Sequence, residues 1–181
     1  MRDELDEYCF PRFEQSEFPT AYLITFRTYG TWLHGDERSS VRRNGNNRYG
    51  GPKVTSSAPL RELMRETQEG ESVILDTAQR NCVDAAIKEV CEFRKYLLRA
   101  LNVRTNHGHV VVSAAVKPEK IASDFKVYAT RRLRAEGLCG PDQKIWSRGA
   151  STRYLWKPRH VDGAVDYVKY CQEDIPFEFR D

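Results

Sequence analysis

Two histidines separated by one residue are the first side chains whose type and spacing suggest chemistry. His107 and His109 flank Gly108 and lead into a run of valines, a composition typical of a β-strand. Because strand side chains alternate between faces, both imidazoles are expected on the same face. Imidazoles at this spacing can bind one divalent cation. An isolated pair of this kind is also common as surface histidines of a hairpin, and the pair alone leaves both interpretations open.

A tyrosine near the end of the chain is the second candidate. Tyr167 lies in a stretch, 165–172, that we interpret as the final helix. Helical tyrosines usually serve packing, and a phenol with a pKa of about 10 is a weak nucleophile without help. A cation bound to a phosphate supplies that help, since it withdraws charge and aligns the attacking and leaving oxygens.

The elements that must position these residues alternate between strands and helices. Runs rich in β-branched and aromatic residues predict strands at 21–28, 96–103, 109–115, 144–146 and 153–156. Helical patterns begin at Leu60, Asp76, Lys117 and about Val161. Asp76 and Gln79 have the spacing of a capping box. This order predicts an antiparallel sheet with helices packed against it.

Composition excludes several classes of protein. The chain has 181 residues, of which 40% are hydrophobic, enough for a folded core. No apolar run approaches the roughly 18 residues of a membrane span, and the acidic start lacks a signal-peptide pattern. Its five cysteines contain no Cys-x-x-Cys pair, which favours a reducing compartment. Cys82 and Cys91 fall in an apolar helical stripe and are expected in the core. We expect a cytoplasmic protein with no membrane partner.

The formal net charge of +3 hides an uneven distribution. Lysine and arginine are concentrated between residues 94 and 160, while both ends are acidic. This pattern favours a polyanionic partner, although solvation of the surface explains it equally well. We expect an acidic extension over 1–20, one domain over 21–175 and a tail over 176–181. A flexible basic insertion at about 29–59, with Arg42 and Arg43, is expected to order on a partner, unless it is incidental.

Four segments in order resemble the single-tyrosine HUH transposases, most closely the REP-associated tyrosine transposase branch. Residues 106–112 resemble the signature of two histidines around a hydrophobic residue, and 124–133 resemble the family's basic helix. Residues 145–149 resemble its tryptophan-containing strand, and 165–170 resemble the helix with the catalytic tyrosine. The resemblance covers most of 21–172, apart from the insertion.

The resemblance implies an α+β protein of the ferredoxin-like HUH endonuclease fold, with a central antiparallel sheet of four or five strands flanked by helices. It implies a prokaryotic, nucleoid-acting enzyme that nicks and rejoins single-stranded or hairpin DNA through a 5′-phosphotyrosine intermediate. Tyr167 would be the nucleophile, and His107 and His109 would hold Mg²⁺ or Mn²⁺. The family's third ligand is often an amide one turn after the tyrosine. Cys171 occupies that position here, so we nominate its neighbour Gln172. A homodimer is possible, since a tyrosine helix can serve its own or a partner subunit.

Basic side chains around the resembling segments are expected to bind DNA. They are Arg42 and Arg43 of the insertion, Lys126, Arg131, Arg132 and Arg134 of the basic helix, and Arg148 and Arg153 after it. Trp146, Tyr154 and Trp156 lie among them and can stack bases, although core packing is the alternative for at least two of the three.

Two departures from the family pattern keep an alternative open. Gly108 stands where the family has a hydrophobic residue, and we expect a gap in the core costing about 1–3 kcal/mol. Cys171 would weaken metal binding or shift it towards softer ions. Both favour a catalytically degenerate, domesticated DNA-binding protein of the same fold. A replication-initiator nuclease fits the helices less well, and an RNA-binding module would require an aromatic RNP motif that we do not find.

Overall fold

The computed structural model describes residues 17–31, 57–68 and 70–171. Most of the basic insertion, with Arg42 and Arg43, lies outside the described residues, as do Gln172 and most of the acidic extension. None of the helices in the described part of the chain is long and apolar enough to cross a membrane.

Four strands form one antiparallel sheet, in the order β2-β3-β1-β4. They are β1 (Ala21–Arg27), β2 (Leu97–Val103), β3 (His107–Ser113) and β4 (Ser151–Leu155). β1 and β3 lie at the centre and pair with each other. The expected α+β fold, an antiparallel sheet with flanking helices, is confirmed. The strand predicted at 144–146 is reduced to a single bridge between Thr28 and Trp146.

Four helices accompany the sheet: α1 (Ala58–Glu66), α2 (Thr77–Arg94), α3 (Pro118–Ala135) and α4 (Pro158–Tyr170). The predicted capping box is present, because the Asp76 carboxylate accepts from the Gln79 amide while the Gln79 side chain accepts from the Asp76 amide. A proline in the first turn begins both α3 and α4. α4 therefore begins at Pro158, earlier than the apolar pattern predicted.

The helices divide the sheet into two different faces. α2 and α3 pack together on one face, which we call the α2–α3 face, over large buried side chains such as Tyr22, Phe26 and Phe125. α4 covers the other face, the α4 face, and contacts all four strands. Its core contains only small and medium side chains: Ala21, Ala100, Val111, Leu155, Val161, Ala164 and Val168.

Gly108 does not leave the gap that the sequence predicted. It is aligned with Phe26 on the neighbouring strand, and a Cβ added at Gly108 would lie 2.7 Å from Cζ of the Phe26 ring. The ring thus occupies the space that a larger side chain would fill. Its edge contacts Trp146 at 5.2 Å between centroids, and Trp146 is only 9% exposed. The expectation of a cavity was wrong, and Trp146 serves core packing.

Candidate active site

The two histidines begin the central strand β3 and point to the α4 face. Their ring centroids are 4.6 Å apart, with an interplanar angle of 78°. β3 begins at His107 rather than at His109, so both imidazoles belong to the strand. His109 is aligned with Thr25 of β1 on one side and with Asn102 of β2 on the other. The pair therefore sits on the part of the sheet with a strand on each side.

Each imidazole is held through its Nδ1 atom. Nδ1 of His107 donates to Oδ1 of Asn106 at 2.6 Å, and Nδ1 of His109 lies 2.8 Å from Oγ1 of Thr25. Because an amide oxygen only accepts, Nε2 is the ring nitrogen of His107 that carries the lone pair. Polar partners on Nδ1 of this kind orient metal-binding histidines in proteins.

Asn106 is itself anchored to the end of β1. Its backbone carbonyl accepts from the Thr28 amide at 2.9 Å and from the Thr28 hydroxyl at 3.0 Å. The Thr31 hydroxyl donates to the same oxygen at 3.4 Å. Thr28 is fully buried. The orientation of His107 is therefore tied to a buried network.

α4 places Tyr167 beside the histidines. The Tyr167 ring lies 5.6 Å from that of His109, centroid to centroid, at an angle of 76°. Its side chain is 41% exposed and so is accessible to a substrate. Nδ2 of Asn102 donates to the backbone carbonyl of Val168 at 2.9 Å, which fixes the last turn of α4 on β2. The structure thus brings His107, His109 and Tyr167 together.

Thr25, Asn102 and Asn106 support the site, and sequence reasoning missed them. Asn106 was detectable, because it directly precedes the histidine pair. Sequence reasoning did not place Asn102 beside His109. A hairpin with its joint at 104–106 would pair Val103 with His107, whereas the observed partner of Val103 is Gly108, one residue further on. Thr25 meets His109 only through pairing between β1 and β3, which lie far apart in sequence.

The two histidines offer nitrogen donors to a cation on the α4 face. Two imidazoles with their Nδ1 atoms engaged fit one divalent cation, with oxygen ligands completing its coordination. Among the described residues, no group of three histidine, cysteine or acidic side chains could hold a metal. Cys171 is exposed at the end of α4, and its amide donates to the Tyr167 carbonyl at 3.2 Å.

Lys126 supports a loop. Its ammonium group donates to the backbone carbonyl of Ser147 at 2.8 Å and also to that of Gly149. Ser147 is in turn joined to the end of β1, through its amide to the Arg27 carbonyl and its hydroxyl to the Thr28 carbonyl. Lys126 thereby connects α3 to the loop that leads into β4.

The arginines of α3 lie on the face opposite the histidines, because α3 packs on the α2–α3 face. Arg132 forms ion pairs with Glu136 at 2.8 Å and with Glu89 at 3.1 Å. Arg131 lies over the ring of Tyr128 at 5.6 Å, and Arg134 is exposed. The structure does not bring these side chains to Tyr167.

Two arginines share the face of the histidines. Arg153 is exposed on β4 and lies two residues before Leu155, which is buried beneath α4, so the two side chains share the α4 face. Arg27, which sequence reasoning missed, is aligned with His107 across β1 and β3. Arg148 is exposed in the loop between Trp146 and β4. Arg27 and Arg153 therefore place positive charge on the histidine face, on the β1 and β4 side.

Comparisons with known proteins bear on the whole arrangement. Residues 64–169, which include both histidines and Tyr167, match a family model described as "Transposase IS200 like". No curated protein sequence matches the chain. A solved structure described as "Structure of the REP associates tyrosine transposase bound to a REP hairpin" is similar at 15% identity, with a TM-score of 0.46. The similarity covers 88% of this chain and 71% of that one.

Proposed function

We propose, from the premise that this chain belongs to the IS200-like transposase family, that it cuts and rejoins single-stranded or hairpin DNA through Tyr167. The observation that carries the proposal is the position of the Tyr167 ring, 5.6 Å from that of His109 on the face shared by both histidines. The motifs at 106–112, 124–133, 145–149 and 165–170 support the REP-associated branch of the family.

The chemistry is an exchange of one phosphodiester for another. Oη of Tyr167 attacks a phosphorus atom of DNA, and the new Oη–P bond forms as the P–O3′ bond breaks. The phenol loses its proton and the departing 3′-oxygen gains one, which leaves a 5′-phosphotyrosyl link and a free 3′-hydroxyl. A second 3′-hydroxyl reverses these bond changes, so strands are rejoined without ATP. Positioning and charge stabilisation provide most of the catalysis in such transfers.

His107 and His109 would hold a Mg²⁺ or Mn²⁺ ion, with Gln172 as the proposed third ligand. When bound, the cation withdraws charge from the phosphate and orients its oxygens. Asn106 and Thr25 hold the two imidazoles in the orientation observed. Asn102, through the Val168 carbonyl, holds the turn that carries the nucleophile. These residues position the reacting groups before DNA binds.

The proposed DNA path starts beside the histidines. Arg153 lies on the α4 face, and it and Arg148 of the loop before β4 are proposed to contact phosphates of the bound DNA. Arg131, Arg132, Arg134 and Lys126 of α3 would contact only DNA that continues around to the opposite face. Arg42 and Arg43 are proposed to contact DNA from the insertion.

The test is covalent capture of DNA on a denaturing gel. We would incubate the chain with end-labelled hairpin DNA with single-stranded flanks, in Mn²⁺ or in EDTA. We expect a shifted band that requires Mn²⁺ and is absent in Tyr167→Phe and in His107→Ala. The matched control is Tyr170→Phe, three residues on in the same helix and 62% exposed, which should keep the band. A band that persists in Tyr167→Phe would contradict the assignment.

The alternative is a DNA-binding protein of the same fold without cleavage activity. It is favoured by the small donor set, because only two histidine, cysteine or acidic side chains converge within the described ranges. This alternative predicts binding to the same DNA that survives EDTA, with no covalent band in Mg²⁺ or Mn²⁺.

A further inference from the structure

Two aromatic side chains at the edge of the sheet lie outside the candidate active site. Tyr154 and Trp156 are each 46% exposed. Their rings are stacked, with centroids 6.3 Å apart and an interplanar angle of 20°. They belong to β4 and the residue just after it, and β4 is an edge strand of the described sheet. Large aromatic surfaces at this exposure are typical of binding sites.

The two rings are held from beneath. Tyr154 rests edge-to-face on the buried Tyr22 ring, at 5.2 Å between centroids. The backbone carbonyl of Trp156 accepts from the hydroxyl of Thr20 at 2.9 Å. A ring that is already ordered loses little conformational entropy when a partner stacks on it.

The charges beside the pair suit a polyanion. Arg153, Lys157 and Arg159 lie within three residues of Trp156 along the chain, and Arg153 and Arg159 are exposed. Glu119 is the acidic group that acts on Tyr154: burial, together with this charge, raises the pKa of the Tyr154 phenol. The ring is therefore neutral at physiological pH.

The pair lies on the opposite face of the sheet from the histidines, because Tyr154 is aligned with Tyr22 of the α2–α3 core and strand side chains alternate between faces. His109 is aligned with Thr25, and Thr25 is aligned with Ser151 of β4. β4 is thus two strand spacings from β3, about 10 Å, and Tyr154 lies three residues beyond Ser151, about another 10 Å along the strand. A DNA strand that leaves the histidine pair in this direction meets Arg153 on the α4 face and reaches the rings only by passing around the β4 edge.

We propose that Tyr154 and Trp156 form a platform on which an unpaired base of single-stranded DNA stacks, where the strand passes around the β4 edge of the sheet. The proposal rests on the proposed function for the identity of its substrate. An unpaired base is the expected occupant because bases within a duplex already stack on their neighbours, whereas single strands offer free ring faces. Such stacking tolerates any base sequence and changes affinity by about 5- to 150-fold per base.

Binding to two synthetic strands tests the platform. Affinities of the full chain and of Trp156→Ala would be measured for single-stranded oligothymidylate and for an abasic strand of equal length. We expect Trp156→Ala to weaken oligothymidylate binding by about 5- to 150-fold and to leave abasic binding unchanged. The control Phe93→Ala, an aromatic that is 68% exposed near the end of α2, should change neither affinity. Equal losses on both strands, or no loss, would overturn the proposal.

Tryptophan fluorescence gives a second readout that does not depend on lost affinity. Oligothymidylate should quench the fluorescence of the wild-type chain, and Trp156→Phe should lose most of this quenching while retaining affinity, since phenylalanine still stacks. Quenching that persists in Trp156→Phe would place the base elsewhere and overturn the platform. A change of oligomeric state in Trp156→Ala without a change in DNA affinity would also overturn the platform, because the rings would then contact a second copy of the chain.

The platform and the proposed function fail in different ways. If the wild-type chain forms the covalent band and Trp156→Ala binds oligothymidylate as tightly as the wild type, only the platform is contradicted. If Trp156→Ala loses affinity for oligothymidylate but not for the abasic strand, and the wild-type chain forms no covalent band, the platform is supported and the proposed cleavage activity is contradicted. A wild-type chain that binds neither strand would remove both.

Discussion

The two faces of the sheet differ in what they bury. The α2–α3 face buries large rings and aliphatic side chains, including Tyr22, Phe26 and Phe125. The α4 face buries mainly alanine and valine and carries polar groups in its centre. β3 shows the contrast within one strand. Val110 belongs to the core of the α2–α3 face, whereas its neighbour His109 lies on the α4 face. Stability is concentrated on one face, and the groups suited to chemistry lie on the other.

The small core of the α4 face affects how firmly α4, the helix that carries Tyr167, is held on the sheet. α4 buries little apolar surface through Val161, Ala164 and Val168, so hydrophobic burial alone fixes its position weakly. The directional bond from Asn102 to the Val168 carbonyl therefore contributes to the placement of Tyr167 over the sheet.

The largest difference between the faces should appear when one large side chain is removed. Phe26→Ala should lower the free energy of unfolding by about 3–5 kcal/mol, because the ring is fully buried against Gly108 and Trp146. Val168→Ala on the α4 face should cost about 2 kcal/mol, since it removes far less apolar surface. Denaturant unfolding measures both. Equal losses would contradict the contrast between the two faces.

Adding bulk at Gly108 should also destabilise the α2–α3 face, by a smaller amount. Gly108→Val would place its side chain against the Phe26 ring, and we expect a loss of about 1–3 kcal/mol in the free energy of unfolding. Combining it with Phe26→Leu should recover part of this loss, because the smaller side chain makes room.

A helical glycine provides the control for this substitution. A Cβ at Gly163 of α4 would meet nothing within 4 Å, so Gly163→Ala should stabilise the chain by about 0.5–1 kcal/mol. If Gly108→Val, like Gly163→Ala, did not lower the free energy of unfolding, the Phe26 ring would not occupy the space in front of Gly108.

Removing the bond that holds α4 should have a modest effect on stability. Asn102→Ala should lower the free energy of unfolding by about 1 kcal/mol. It should also accelerate amide hydrogen exchange in the last turn of α4 and reduce the yield of the covalent DNA band. Asn81→Ala, at an exposed position of α2, is the matched control and should change neither. Unchanged exchange in α4 would show that Asn102 does not hold the helix.

The smallest effect concerns thiols within the α2–α3 core. Burial is the main cause that raises the pKa of Cys82 to about 11 and that of Cys91 to about 12. Both thiols are therefore protonated at pH 8 and should resist alkylation in the folded chain. Cys171, which is exposed, should react. Rapid alkylation of Cys82 or Cys91 under native conditions would contradict their burial.

The sequence predicted the parts that depend on local pattern. Alternation along β3 placed both histidines on one face, and the capping box set the start of α2. The position of Phe26 in front of Gly108 and the contact of Asn102 with α4 depend on pairing between distant segments, and no local pattern encodes them. Basic residues clustered in α3 could not reveal which face of the sheet that helix covers.

The most direct test identifies which tyrosine becomes linked to DNA. Trypsin cuts after Arg159 and Lys169, so Tyr167 and Tyr170 fall in separate peptides, 160–169 and 170–180. After capture of the covalent complex and nuclease trimming of its DNA, mass spectrometry would locate the added nucleotide. We predict the added mass on peptide 160–169. The same mass on 170–180, or on any peptide without Tyr167, would contradict the assignment of Tyr167 as the nucleophile.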